Sequence, residues 1–297
     1  MRHKYRRQHA RYFGVLVMSG SFSTPFKYRI ASLLAQKGLQ PLWRALNALS
    51  YWGLGYNNWY STVNGENQFV AKWARQWREK APVVFDIGAN EGDTTIQFLK
   101  ALPDARIHLF EPNPATYARL RSRFSQEKNI VINPCGVGKS AGQLTLYDFD
   151  GKGSERASLL PETFSDLLLA KKSAIREMTV EVVTVDAYCD RRGIDAIDYM
   201  KIDVEGFEKF VLEGAADQIA KGRIGIIQLE INEHNVISGF NIYALRKMLQ
   251  GYEIFRLLPH GLVPVATRSQ PYIAAKDVPR YSNLIAVRED LARSLPR

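Results

Sequence analysis

The chain has 297 residues, of which 46% are hydrophobic, and this composition excludes a largely disordered protein. Its net charge of +10 is unevenly placed, because residues 1–80 carry +11 and residues 81–297 carry −1. The nearly neutral larger part argues against a general nucleic-acid-binding surface there. Two cysteines, Cys135 and Cys189, have neither a disulfide framework nor metal-ligand spacing, so we expect buried thiols and a reducing, cytoplasmic compartment.

The first 65 residues are predicted to form a basic helical extension, followed by a main domain at 66–297. Apolar side chains recur in the extension at helical spacing: Leu39, Leu42, Trp43, Leu46 and Leu49. A basic amphipathic helix of this kind can lie on an anionic membrane surface or pack as a cap on the main domain, and the sequence leaves both open. No transmembrane helix is predicted, because the longest early apolar run, Phe13–Met18, is too short to span a bilayer.

From residue 83 onwards, short apolar runs alternate with amphipathic stretches, which predicts a doubly wound α/β fold with a mostly parallel sheet. The predicted strands are Val83–Asp86, Arg106–Phe110, Asn129–Asn133, Tyr199–Asp203 and Gly225–Ile231. The predicted helices are Gln68–Lys80, Thr94–Leu102, Ala115–Phe124, Ala187–Arg191, Lys209–Gly214 and Asn241–Gln250.

Two further pairs of strands complete the predicted fold. Gln143–Asp148 and Thr179–Val185 alternate polar and apolar residues, which predicts an antiparallel addition to the domain. The long polar segment between them, 150–176, is a candidate lid over an acceptor. Closing strands are expected at Tyr252–Leu258 and Leu284–Val287, separated by a Gly/Pro-rich excursion.

A glycine-rich turn follows the first predicted strand in the stretch VVFDIGANEGDTT, which begins at Val83. Its spacing is D-x-G-x-N-x-G, which differs from the dinucleotide G-x-G-x-x-G and lacks the Gly-Lys-Ser/Thr end of a nucleotide P-loop. Glycines let the backbone pass close to a ligand. We expect Asp86, Gly88, Asn90 and Gly92 to surround the charged amino-acid end of a cofactor, with Asp86 accepting from its ammonium group directly or through water.

Other polar residues come at the ends of the predicted strands, where open α/β sheets bind their ligands. Glu111 follows the second strand and suits a neutral ribose diol, although an acid before Pro112 is also typical of a helix N-terminus. Asn133 ends the third strand and joins the predicted cofactor-binding set. Asp203, Glu205 and Glu230 follow or end the later strands.

This motif, together with LFEPNP, YMKIDVEGFEKFVLEG and IIQLEIN, resembles the FkbM family of S-adenosylmethionine-dependent methyltransferases over residues 83–258. The resemblance implies a Rossmann-like class I fold, in which a seven-stranded sheet ends in an antiparallel hairpin. It implies that the Asp86–Gly92 turn holds the methionine moiety of the cofactor and that Glu111 binds its ribose. It also implies methylation at oxygen, on a sugar, a polyketide or another small hydroxylated compound, and it does not cover residues 1–65.

Methyl transfer to a hydroxyl requires positioning and a proton acceptor. Asp203 is the first candidate for that acceptor, with Glu205, Glu230 and Lys201 in support. His234 is a further possible base, although a lone loop histidine can be merely solvated. The three carboxylates can alternatively form an oxygen-rich site for a divalent metal, which we do not favour. Another alternative is an internal ion-pair network of Lys201, Asp203 and Glu205.

The sequence therefore predicts an O-methyltransferase that uses S-adenosylmethionine and acts on a small-molecule or glycan acceptor. Three other functions stay open. A nucleic-acid methyltransferase would use the basic arm, an NAD-linked oxidoreductase would use the glycine turn differently, and a non-catalytic adaptor would only bind a membrane surface. Nothing in the sequence identifies the acceptor.

Overall fold

The computed structural model of this protein describes residues 30, 33–35, 37–53, 64–75, 77, 81–149, 157–161, 175–232, 234–266 and 281–293. The chain divides into two units, residues 1–51 and residues 52–297. The domain boundary after residue 65 stays a prediction. The arm at 1–24 and most of the candidate lid at 150–176 lie outside the described residues. None of the described helices is both long enough and apolar enough to cross a membrane.

We number the helices and strands in chain order. The helices are α1 (Gln40–Gly53), α2 (Glu66–Ala74), α3 (Asp93–Ala101), α4 (Pro114–Arg123), α5 (Val185–Arg192), α6 (Glu208–Glu213), α7 (Ala216–Ala220), α8 (His234–Ile237), α9 (Ile242–Met248) and α10 (Glu289–Ala292). The strands are β1 (Val83–Ile87), β2 (Arg106–Phe110), β3 (Ile130–Asn133), β4 (Gly136–Val137), β5 (Gly142–Phe149), β6 (Ile175–Val183), β7 (Ile197–Ile202), β8 (Ile224–Ile231), β9 (Tyr252–Leu258), β10 (Gly261–Ala266) and β11 (Ser282–Arg288).

The central sheet has eight strands in the order β10-β9-β11-β8-β7-β1-β2-β3. Strands β3, β2, β1, β7 and β8 pair in parallel, whereas β11 runs antiparallel to both β8 and β9. The chain thus reverses its winding between β1 and β7, and the carboxyl ends of the parallel strands meet at one edge. Ligands bind at this edge in open α/β sheets, so the predicted site residues on different strands are brought together there.

Both faces of the sheet are buried, as expected of parallel strands covered by helices. In β1, Val83, Phe85 and Ile87 belong to the hydrophobic cluster on one face, and Val84 belongs to the cluster on the other face. Trp73 of α2 lies in the same cluster as Val84 and is 1% exposed, so α2 packs on this face of the sheet. Strand alternation puts Asp86 on the face of Val84, where α3 packs.

A smaller sheet of three strands, β4-β6-β5, confirms the predicted antiparallel addition, because β5 and β6 pair antiparallel over their full length. A side-chain hydrogen bond ties it to the start of α4, where Asn113 Nδ2 donates to Asp148 Oδ2 at 3.1 Å. Asp148 is fully buried. The smaller sheet therefore braces the chain that follows β2, next to Glu111.

The sheet differs from the expectation in one strand. The closing strands are confirmed as β9 and β11, but the stretch between them, predicted only as a Gly/Pro-rich excursion, contributes β10. Pro264 lies in β10 beside a shift in the pairing register. A proline is tolerated there because β10 is an edge strand, where an N–H bond to a further strand is not needed.

Candidate active site

The turn after β1 begins at Asp86, whose side chain is fully buried. Thr95 Oγ1, in the first turn of α3, donates a 2.7 Å hydrogen bond to Asp86 Oδ2. The other oxygen, Oδ1, is also buried and has no hydrogen-bond partner among the described residues. Burial raises the pKa of Asp86, while the neighbouring Lys201 ammonium lowers it. Asp86 therefore keeps one buried oxygen that can still accept a hydrogen bond.

Gly88 brings the turn against the end of β7. Its φ is +79°, and a Cβ at this position would lie 1.8 Å from the Asp203 carbonyl oxygen. Any side chain there would both strain the backbone and collide with the neighbouring strand end. The glycine in the motif is thus explained by the contact between the turn and the residue predicted as the proton acceptor.

Glu111 links the end of β2 to this turn. Its carboxylate is 7% exposed and accepts two backbone hydrogen bonds, from Asn90 N at 3.0 Å and from Asn113 N at 2.8 Å. Burial raises the pKa of Glu111 to about 7, although both backbone donors favour the ionised form. Each carboxylate oxygen keeps a further lone pair with which it can accept a ligand hydroxyl.

Asn133, at the end of β3, has both of its side-chain polar groups engaged within the fold. Its Nδ2 donates to Leu109 O at 2.8 Å, and its Oδ1 accepts from the Tyr188 hydroxyl at 3.1 Å. A cofactor contact through this side chain would require one of these bonds to be replaced. Its predicted cofactor-binding role stays a prediction.

Lys201 and Asp203 form an ion pair at the end of β7, with Nζ and Oδ2 2.7 Å apart. The Lys201 side chain is 8% exposed and the Asp203 side chain 28% exposed. Burial alone would lower the pKa of Lys201, but the carboxylates of Asp203, Asp86 and Glu66 outweigh it and hold the pKa above its usual range. Lys201 therefore keeps its positive charge between Asp86 and Asp203.

Glu205 follows the end of β7 in a left-handed conformation, with φ of +52°. Its Oε2 lies 3.1 Å from His234 Nδ1 and accepts from Asn232 Nδ2 at 3.4 Å. Gly206 allows this approach, because a Cβ at residue 206 would lie 2.8 Å from the Cβ of His234. The predicted strand through Asp203 thus ends one residue early, at Ile202, and the turn places Glu205 beside the loop after β8.

Glu230, near the end of β8, completes a cluster of carboxylates. One oxygen from each of Asp203, Glu205 and Glu230 lies within 4.8 Å of the others. Burial raises the pKa of Glu230 well above its usual range, and Asp203 and Glu205 raise it further. Glu230 accepts a hydrogen bond from the Tyr281 hydroxyl at 3.2 Å. The cluster could hold a divalent cation by its donor chemistry, and Lys201 already supplies one positive charge to it.

Glu208 holds this turn in place, and its part was not foreseen. Its side chain is 1% exposed and accepts from Val204 N at 3.1 Å, from Gly206 N at 3.2 Å and from Asn235 Nδ2. Burial raises its pKa to about 7. The sequence alone could indicate that Glu208 caps α6, because acidic residues are favourable in the first turn of a helix. It could not indicate the hydrogen bond to Asn235 of α8, which lies 27 residues further along the chain.

Residues 157–161 of the predicted lid are described in the structure, and they contact the turn that follows β7. Ser158 Oγ donates to the Glu205 carbonyl oxygen at 2.9 Å, and the backbone of Ser158 pairs with that of Tyr147 in β5. Ser158 is 1% exposed. The segment 157–161 is thus fixed between the smaller sheet and Glu205, and the remainder of 150–174 lies outside the described residues.

Comparisons with known proteins agree with this geometry. A family model for the methyltransferase FkbM domain matches residues 86–254. The 2-O-methyltransferase NoeI of Sinorhizobium fredii is 25% identical over 191 residues, covering 61% of this chain and 76% of its own. The 31-O-demethyl-FK506 methyltransferase FkbM of Streptomyces tacrolimicus is 30% identical over 182 residues, covering 52% and 70%. The hexuronic acid methyltransferase AglP of Haloferax volcanii is 24% identical over 168 residues, covering 56% and 63%.

Among solved structures, the O-methyltransferase from Bacillus cereus in complex with SAH has a TM-score of 0.40 and 12% identity, covering 89% of this chain and 97% of its own. We assign the fold from the strand order described above and not from this structural similarity. The family model and the methyltransferase relatives show a methyltransferase dependent on S-adenosylmethionine, and the mostly parallel sheet with its antiparallel closing strands is the class I fold. Within that class, the chain belongs to the FkbM methyltransferase family.

Proposed function

We propose that this enzyme transfers a methyl group to a hydroxyl oxygen of a sugar, a glycan or another small hydroxylated metabolite. The observation that carries the proposal is the cluster of Asp203, Glu205 and Glu230, which lies directly beside the cofactor turn through the Gly88–Asp203 contact. The names of the relatives support the acceptor class, because two of them specify an oxygen position and one specifies a hexuronic acid.

S-adenosylmethionine supplies an activated methyl group on a sulfonium centre. In the proposal, the unpaired Oδ1 of Asp86 accepts from the ammonium group of the cofactor, and the backbone of Gly88, Asn90 and Gly92 follows its amino-acid end. Glu111 accepts from the ribose hydroxyls with the lone pairs that its two backbone bonds leave over. The neutral diol suits a carboxylate, whereas a phosphorylated ribose would be repelled.

On the acceptor side, we assign Asp203 to accept the hydroxyl proton, and the Lys201 ammonium pairs with its carboxylate. Glu205 and Glu230 orient the hydroxyl. With the cofactor bound, the acceptor oxygen would bond to the methyl carbon as the carbon–sulfur bond of the sulfonium breaks, leaving S-adenosylhomocysteine, and the hydroxyl proton would pass to Asp203. The second candidate for this role is His234, favoured by its 3.1 Å contact with Glu205, since a carboxylate partner stabilises the imidazolium that proton uptake would create. We include no metal, because Lys201 already balances part of the negative charge of the cluster.

The first test is calorimetric titration of the full chain with S-adenosylhomocysteine. Binding is expected, and a folded protein that binds neither this product nor the cofactor would refute the assignment. Methyl incorporation into a panel of sugars and glycans, followed by mass spectrometry, then tests the acceptor class. Transfer to nitrogen or to nucleic acid alone would overturn it. A chelator arm tests the metal: loss of activity that added Mg²⁺ restores would show that the cluster binds a cation.

The second test separates the two candidate bases. Asp203→Asn should lower kcat by about a hundredfold or more while S-adenosylhomocysteine affinity changes little. Asp195→Asn is the matched control, because it makes the same change at an exposed loop residue ahead of β7. If His234→Asn removes turnover and Asp203→Asn does not, the proton acceptor is His234. Loss of cofactor affinity in Asp203→Asn would instead show that this residue acts on the cofactor.

A further inference from the structure

Helix α1 carries an apolar stripe that is exposed to solvent. Leu42, Leu46 and Leu49 lie at i, i+4 and i+7, on one side of the helix. They are 52%, 44% and 60% exposed, and Trp43 beside them is 36% exposed. Isolated exposed leucines are common on protein surfaces, but a continuous stripe of this kind marks a binding surface.

The opposite side of α1 is polar, which makes the helix amphipathic. Arg44 and Asn47 lie away from the leucine stripe when positions are spaced by 100° per residue. The chain just before α1 adds to the apolar surface, because Leu33 and Leu34 are 60% and 44% exposed. Trp43 Nε1 donates to the Leu34 carbonyl oxygen at 2.7 Å, which fixes that segment against the start of α1.

Charge identifies the kind of surface that would cover this stripe. The first 65 residues hold nine Lys and Arg residues, and the first acid of the chain is Glu66. A positive segment next to an apolar helix face is complementary to an anionic bilayer, whose headgroups attract basic residues and whose acyl boundary accepts leucine and tryptophan. A protein partner or a second copy of this chain would bury the leucines equally well. Neither would explain why all the charged side chains of residues 1–65 are positive and none is acidic.

We propose that helix α1 binds the surface of an anionic lipid bilayer, lying in the plane of the interface with its leucine stripe facing the acyl chains. With 14 residues, the helix is about 21 Å long, which is enough to place three leucines along one line of contact. Arg44 then faces the aqueous side. Because this surface is outside the region matched by the family model, the inference is independent of the acceptor of the methyl group.

The test is co-sedimentation of the full chain with vesicles. One set contains phosphatidylcholine with phosphatidylglycerol, and the other contains phosphatidylcholine alone. We expect binding to the mixed vesicles that weakens as salt is raised, and little binding to the neutral vesicles. Failure to bind the mixed vesicles, or equal binding to both sets, would overturn the proposal.

Two variants that add the same charge test the orientation of α1. Leu46→Glu places a carboxylate in the stripe, and Asn47→Glu places one beside it on the polar side. Leu46→Glu should weaken vesicle binding by about tenfold or more, because the leucine is lost from the interface and a charge enters it, whereas Asn47→Glu should have a much smaller effect. Equal losses in the two variants would contradict the orientation and with it the proposal.

Two further measurements keep the outcomes distinct. Both variants should bind S-adenosylhomocysteine as the unchanged protein does, which shows that the main unit is folded. Light scattering after gel filtration reports the oligomeric state. If Leu46→Glu dissolves an oligomer and leaves vesicle binding intact, the stripe is a contact between copies of the chain, and the membrane proposal fails.

Discussion

Replacement of Glu111 by glutamine tests the cofactor corner directly. In the structure each carboxylate oxygen accepts one backbone N–H, from Asn90 and from Asn113. An amide has only one oxygen, so its NH₂ group must face the second N–H inside a site that is 7% exposed. An unsatisfied buried donor costs about 1–3 kcal/mol, and the loss of a charged acceptor for the ribose costs about 1.5–3 kcal/mol.

The unsatisfied donor is present with and without the ligand and lowers the folding stability, so only the ribose contribution enters the affinity. We therefore expect a loss of S-adenosylhomocysteine affinity between about tenfold and a few hundredfold, because about 1.4 kcal/mol corresponds to a factor of ten. A pH series adds an independent readout. Ribose hydroxyls donate to the ionised carboxylate, and burial raises the pKa of the free Glu111 side chain to about 7. The affinity of the unchanged protein should consequently fall as the pH drops below 7, and Glu111→Gln should lose this dependence.

Calorimetry at several pH values, above and below 7, measures both effects. Glu127→Gln is the matched control, since it makes the same substitution at an exposed residue after α4. We expect this control to keep both the affinity and the pH dependence of the unchanged protein. If Glu111→Gln also keeps them, Glu111 does not bind the ribose and the corner has been wrongly assigned.

Two predictions concern stability. In urea unfolding, Gly88→Ala should destabilise the fold by at least about 2 kcal/mol more than Gly251→Ala. Both glycines have positive φ, but of the two only residue 88 would bring a Cβ against a neighbouring carbonyl oxygen. Equal losses of stability in the two variants would contradict this contact. Burial, with smaller effects of Arg192 and Arg106, lowers the pKa of His108 to about 4. The stabilising effect of neutral His108 is therefore complete above about pH 6.5 and is lost as the pH falls to 4. The difference in unfolding free energy between the unchanged protein and His108→Asn should consequently drop by about 3 kcal/mol across that range. A pH-independent difference would show that the fold does not lower the pKa of His108.

The inner strands, and the polar residues at their carboxyl ends, could be predicted because the sequence patterns that indicate them are local. Each parallel strand is a short apolar run followed by a turn, and alternation within β1 already puts Asp86 on the opposite face from Phe85. The predicted bounds of β2 are unchanged in the structure, and those of β1, β3, β7 and β8 shift by one or two residues. The glycine turn and Glu111 were recognisable since their spacing from a strand end determines their position.

Other features depended on contacts between distant parts of the chain. Strand β10 was missed because glycine and proline argue against a strand, and only pairing with β9 makes an edge strand of that segment. The contact of Glu205 with His234 crosses 29 positions, and the contact of Glu208 with Asn235 crosses 27. Neither can be inferred from periodicity, which describes one element at a time.

The sequence by itself determined the fold class, the family and the candidate ends of the strands, since these follow from local apolar runs and short motifs. Only the tertiary structure decided how the polar residues are used. It paired Lys201 with Asp203 and placed three carboxylates within 4.8 Å of one another. It also engaged Asn133 within the sheet and left one oxygen of Asp86 without a partner among the described residues. The physical reason is that burial, charge and hydrogen bonding at a sheet edge depend on neighbours that are far apart along the chain.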